Sequence, residues 1–154
     1  MAYVRQGRNV IVLRTFSNIY GRAGLRIGCG VATAEIISFL NRVRPPFNAN
    51  SLAQRAALAA LGDEEHVARS RAVNEAGMRQ TVNGLSSLGF SPIPSEANFV
   101  YVDVGRDGRA VFEALLREGI IIRHIEGPMV RVTIGLEEEN REFLAALKRV
   151  IHSQ

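Results

Sequence analysis

Lysine is nearly missing from this sequence. Lys148 is the single one, and the rest of the nineteen basic residues are arginine. Arginine stays protonated at any working pH and forms no imine with an aldehyde. Chemistry that needs a lysine amine is thereby confined to Lys148, on what reads as the last helix. Cysteine is equally scarce. Cys29 stands alone, which excludes an internal disulfide framework and makes a reduced, cytoplasmic setting the simplest expectation. Tryptophan is absent and the three tyrosines are scattered, so no stacking platform for nucleic-acid bases is suggested. No apolar run approaches the roughly 20 residues of a membrane span. The segment Met1–Gln6 lacks the apolar core of a signal peptide. The three histidines have no ligand spacing, so no metal site is expected.

What is present fits an ordinary globular chain. Hydrophobic residues make up 47% and charged residues 22% of 154 positions, a balance that argues against disorder. The length suits one well-packed domain or two small lobes. The net charge of +4 raises the nucleic-acid question, yet the arginines are spread from Arg5 to Arg149 rather than clustered. No nucleic-acid partner and no membrane partner are expected.

The order of elements reads as α/β. Val10–Leu13 is a short β-branched run, predicted to be a buried, parallel strand. Residues 25–32 read as a second strand interrupted by glycines. Thr33 is a predicted N-cap for a helix over 34–43, stopped by Pro45-Pro46. Ser51 is a predicted cap for a helix over 52–61, and a long helix follows over about 63–88. Beyond the linker Ser91–Ser95, strands are predicted over 98–104, 120–125 and 130–134, with helices over 109–118 and 137–151. Cys29 reads as a small buried hydrophobe, and His66 as solvated on the first turn of the long helix.

One stretch carries chemistry: Arg14-Thr15-Phe16-Ser17-Asn18-Ile19-Tyr20-Gly21-Arg22-Ala23-Gly24-Leu25-Arg26-Ile27. Thr15 and Ser17 place hydroxyls at the carboxyl end of a strand, where α/β folds put ligands. Gly21 and Gly24 allow backbone to come close to a ligand. Arg26 can grip a phosphate through a bidentate fork. By themselves these residues read as an anion site.

The same stretch resembles the cofactor-anchoring segment of fold-type-I pyridoxal-phosphate aminotransferases, the histidinol-phosphate aminotransferase family in particular. That family reads roughly R-T-F-S-K-x-Y-G-L-A-G-L-R-I-G. The resemblance implies that Thr15, Ser17 and Arg26 hold the phosphate of pyridoxal phosphate. It also implies that Asn18 replaces the Schiff-base lysine, and an amide nitrogen cannot take over that role. The likeness continues through Asn41–Asn48, Ser51–Gln54 and Pro94–Val100, then Gly119–Arg123 and Val130–Gly135. Arg131 matches the family arginine for the substrate's anionic group, and Arg123 a second arginine near the substrate phosphate.

The resemblance covers essentially the whole chain, but only the C-terminal part of the family. It implies an α/β fold with three parts: residues 1–62 as a remnant of the large domain, 63–90 as an interdomain helix, and 91–154 as a small C-terminal domain. Three readings follow. The first is a transaminase acting on a phosphorylated amino alcohol and a 2-oxo acid in histidine biosynthesis, defective alone. That expectation rests on Asn18, and on the ring-stacking aromatic and pyridinium-pairing Asp, which lie in family segments outside these residues. The second is a non-catalytic binding module that forms a homodimer or pairs with a chain supplying the N-terminal half. The third is a truncated remnant without selected activity.

Overall fold

The computed structural model describes residues 1–152. The chain divides into two units, Met1–Ser70 and Arg71 onward. One long helix, α4, runs across the division.

In the first unit a single turn of helix, α1 (Ala2–Arg5), precedes β1 (Val12–Thr15). A 3-10 turn at Ala23–Leu25 leads to β2 (Gly28–Val31). The two strands pair antiparallel, from Val12 opposite Val31 to Thr15 opposite Gly28. This corrects the expectation of a buried parallel strand at Val10–Leu13. The connecting loop is closed by its own backbone bonds, from the Phe16 N–H to the Ile27 carbonyl and from the Arg22 N–H to the Phe16 carbonyl, and so returns the chain beside β1 in the opposite direction. Burial fails for a related reason. Gly28-Cys29-Gly30 offers little side-chain surface to cover its partner, so Leu13 stays 73% exposed and Cys29 lies in the open. Gly28 is nonetheless required, because a Cβ there would sit 2.8 Å from the Arg14 carbonyl oxygen.

Two helices follow, α2 (Ala34–Val43) and α3 (Ser51–Leu61). Thr33 occupies the N-cap of α2, although its side chain makes no capping bond. The cap of α3 is Asn50 rather than Ser51, with the Asn50 amide oxygen accepting from the Ala53 backbone N–H at 2.8 Å. The small core of this unit consists of Phe16, Ala57 and Ala60, flanked by Tyr20 and Ile27.

Helix α4 spans Glu64–Ser87, and its Glu64 and Glu65 sit in the first turn, where the macrodipole favours anions. The second unit then runs β3 (Phe99–Asp103), α5 (Gly108–Arg117), β4 (Arg123–Glu126), β5 (Met129–Thr133) and α6 (Glu137–His152). The sheet order is β3-β5-β4, antiparallel throughout. Both β3 and β5 alternate buried and half-buried residues with period two. Val100, Val102, Val130 and Val132 therefore face the helices, where they join Leu85, Val111, Leu115, Phe143 and Leu147 in one core. Phe99, Tyr101 and Arg131 face the other way. Asn140, buried on α6, ties the end of β5 to the helices. Its amide accepts from the Gly135 N–H at 2.9 Å and donates to the Gly135 carbonyl at 3.1 Å and to Gln80 at 3.3 Å. No helix among the described residues is long and apolar enough to cross a membrane.

Candidate functional site

The loop after β1 is shaped by its own hydroxyls. The Thr15 Oγ1 accepts from the Ser17 backbone N–H at 3.0 Å and donates to the Ser17 Oγ at 2.9 Å. This leaves the Ser17 hydroxyl proton for another acceptor, since a hydroxyl has a single donor. Phe16, between them, turns inward and is 7% exposed, with its ring 5.0 Å from that of Tyr20. Its burial pins the loop while Thr15 and Asn18 stay exposed and Ser17 half-buried.

Backbone bonds close the loop on itself. The Phe16 N–H donates to the Ile27 carbonyl at 3.2 Å, and the Arg22 N–H to the Phe16 carbonyl at 2.9 Å. Residues 15–18 are thereby held beside residues 26–28. Gly21, at φ +63°, makes the turn and donates to the Asn18 carbonyl at 2.8 Å. Arg26 adopts φ 51°, a left-handed conformation that costs a non-glycine residue free energy. Its Nη1 donates to the Ala23 carbonyl at 2.7 Å. Arg26 forms no ion pair with another described residue, so most of its donors face solvent.

The structure thus brings Thr15, Ser17, Asn18 and Arg26 together on one closed loop. The Ser17 hydroxyl and the Arg26 guanidinium make a donor set suited to phosphate oxygens, with the Thr15 proton already given to Ser17. Asn18 adds an amide and no amine. His66, expected to be solvated, instead bonds this loop: its Nε2 lies 3.1 Å from the Ile19 carbonyl oxygen. No spacing rule could have found that bond, because 47 residues separate the partners.

Arg123 and Arg131 belong to the second unit, where they are brought together. They are directly opposite in the β4–β5 register and so share one face of the sheet. Tyr101 is opposite Arg131 on the other side. Like charges directly opposite on a sheet repel, and no carboxylate among the described residues pairs with either arginine. Arg131 is half-buried with its guanidinium carbon 5.0 Å from the centre of the Phe99 ring. Its Nε is buried without a hydrogen-bond partner. Sequence reasoning missed Phe99. Alternation places Phe99 and Arg131 on outward faces, but the β3–β5 register that makes them neighbours is not written locally.

Comparison with known proteins gives the class: an α/β chain built like part of a fold-type-I aminotransferase. The family model for aminotransferase class I and II matches residues 1–147. The chain belongs to the aminotransferase class I and II family.

Within that family the similarity points one way. The chain is 54% identical to the histidinol-phosphate aminotransferase of Moorella thermoacetica, over 98% of this chain and 40% of that protein. It is 51% identical to histidinol-phosphate aminotransferase 1 of Nitrosococcus oceani, over 98% of this chain and 42% of that protein. Among solved structures, the histidinol-phosphate aminotransferase of Sinorhizobium meliloti in complex with pyridoxal-5'-phosphate superposes with a TM-score of 0.87. It shares 32% identity, over 94% of this chain and 42% of that one. The histidinol-phosphate aminotransferase of Clostridium acetobutylicum gives a TM-score of 0.92 at 25% identity, over 99% of this chain and 49% of that one. The chain therefore spans about 40% of the length of the curated relatives it matches.

Proposed function

We propose that the chain carries the phosphate-holding loop and the substrate-anion arginines of a histidinol-phosphate aminotransferase, without the group that anchors the cofactor covalently. The reaction of that kind moves an amino group between a phosphorylated amino alcohol and a 2-oxo acid. Pyridoxal phosphate, when bound, supplies the electron sink for such chemistry. The observation that carries the reading is the closed loop of Thr15, Ser17 and Arg26, with the Ser17 hydroxyl and the outer Arg26 donors left for an anion.

Each residue then has a stated task. Arg26 holds a phosphate by charge-assisted bonds, and the Thr15–Ser17 pair orients the Ser17 hydroxyl toward it. Arg131 and Arg123 hold the substrate's anionic group. Asn18 occupies the position from which a lysine would hold the cofactor and move a proton, and its amide does neither. The residues present fit the phosphate group and do not fit covalent attachment at residue 18.

The test is a titration of the full chain with pyridoxal phosphate, followed by the phosphorus NMR signal. Binding should be weak and reversible, on the order of millimolar for a few charge-assisted bonds. Arg26→Ala should weaken it about tenfold, the worth of one such bond. Borohydride reduction and peptide mapping should find residue 18 unmodified, and the purified chain should show no aminotransfer. Turnover by the chain alone, or equal binding by Arg26→Ala, would overturn the reading.

A second reading adds assembly, because the first unit leaves much apolar surface in water. Phe47 is 97% exposed, Val43 78%, Leu52 74% and Leu58 71%. A contiguous apolar patch would mark an interaction site. We infer that it is covered by further polypeptide, either a second copy or a chain supplying the rest of the family fold. Sedimentation should show self-association that Phe47→Ser weakens; a clean monomer at high concentration would count against self-association.

A further inference from the structure

Arg131 sits in a place that should repel it. Arg123 lies directly across the β4–β5 register on the same face, and no carboxylate among the described residues answers either charge. The Arg131 Nε is buried with no acceptor. A long, flexible cation in that position would ordinarily swing its head into solvent. What holds it is on the neighbouring strand. Phe99 lies opposite Thr133, two residues beyond Arg131 on β5, so its ring occupies the diagonal position on the same face. The guanidinium carbon rests 5.0 Å from the ring centre. That distance is within the range in which a ring quadrupole attracts a cation.

We propose that Phe99 is the positioning residue of the Arg131 anion site. Its ring fixes the guanidinium plane and shelters the Nε side, so that the terminal nitrogens are the ones presented to a ligand. The inference rests on the reading of Arg131 as an anion holder and adds the residue that aims it. The physical advantage is preorganisation. Arginine loses side-chain freedom when it grips an anion, and a guanidinium already parked on a ring has less to lose. The stacked ring also keeps Arg131 near Arg123, so that one anion can neutralise both charges.

The experiment uses the full chain, inorganic phosphate as the probe, and proton–nitrogen NMR of the arginine Nε–H groups. The Arg131 signal is identified by its loss in Arg131→Lys. In the native chain that signal should lie upfield from the ring current and move as phosphate is added. Phe99→Leu should abolish the upfield displacement and weaken phosphate binding about threefold to fivefold, as expected for a partly exposed cation–π contact. Phe99→Tyr keeps a ring and should restore both. A merely structural Phe99 would leave the phosphate affinity of Phe99→Leu unchanged, and that result overturns the proposal while leaving the anion site standing. Failure of the native Arg131 signal to respond to phosphate overturns the anion site itself, and the role of Phe99 with it. If Phe99→Leu does not fold, Phe99→Met fills a similar volume without a ring and is judged by the same readings.

Discussion

The two units solve burial very differently. The second gathers twelve buried residues into one core, from Leu85 on α4 to Leu147 on α6. The first gathers three, and two of them are alanines. Both contain strands and amphipathic helices, so secondary structure does not explain the contrast. Pairing does. In the second unit the neighbouring strands β3 and β5 present one valine-rich face to helices that pack against it. In the first unit two four-residue strands pair with each other and cover almost nothing. A strand contributes stability through what lies on its faces, and a two-stranded ribbon alone is marginal.

Removing equal side chains from the two units tests the contrast with the largest expected effect. Leu115 is fully buried in the second unit, while Leu58 in the first is 71% exposed. Leu115→Ala should cost about 2–5 kcal/mol, the transfer term plus the cavity it leaves. Leu58→Ala should stay within about 0.5 kcal/mol. Chemical denaturation measures both. The contrast would be lost if the two substitutions destabilised the protein equally.

Much of the second unit was legible in the sequence because its patterns are local. The alternation of Phe99-Val100-Tyr101-Val102 marks a half-buried strand, and Phe143, Leu144 and Leu147 mark a helix face. Gly119 and Gly127 mark turns, and both adopt positive φ. The first unit was legible in its motif and misleading in its packing. Val10–Leu13 has the composition of a buried parallel strand, yet composition does not say what neighbours it has. Cys29 misled in the same way, because a small apolar side chain is buried only if something covers it. The residues of the proposed anion loop were named from a motif and the family it resembles. The bond between His66 and the Ile19 carbonyl, and the stacking of Phe99 on Arg131, depend on chain segments brought together by the fold, and no local pattern encodes them.

The motif also carries a strain that the second unit avoids. Arg26 is held at φ 51° within the first unit. In the second unit every described positive φ belongs to a glycine, as at Gly89, Gly105 and Gly119. A left-handed arginine costs on the order of 1 kcal/mol, and strain of this kind persists where side-chain chemistry requires it. Arg26→Gly separates the two demands. Glycine adopts the same backbone freely, although the exposed bond from Nη1 to the Ala23 carbonyl is lost. Stability should therefore stay level or rise by at most about 1 kcal/mol, while binding of pyridoxal phosphate falls about tenfold or more. Denaturant midpoints and the phosphorus NMR titration read the two effects separately. A clear loss of stability would make Arg26 a structural clamp on the 3-10 turn. Level stability with lost binding would mean that the first unit keeps an arginine in a glycine's conformation for the sake of an anion.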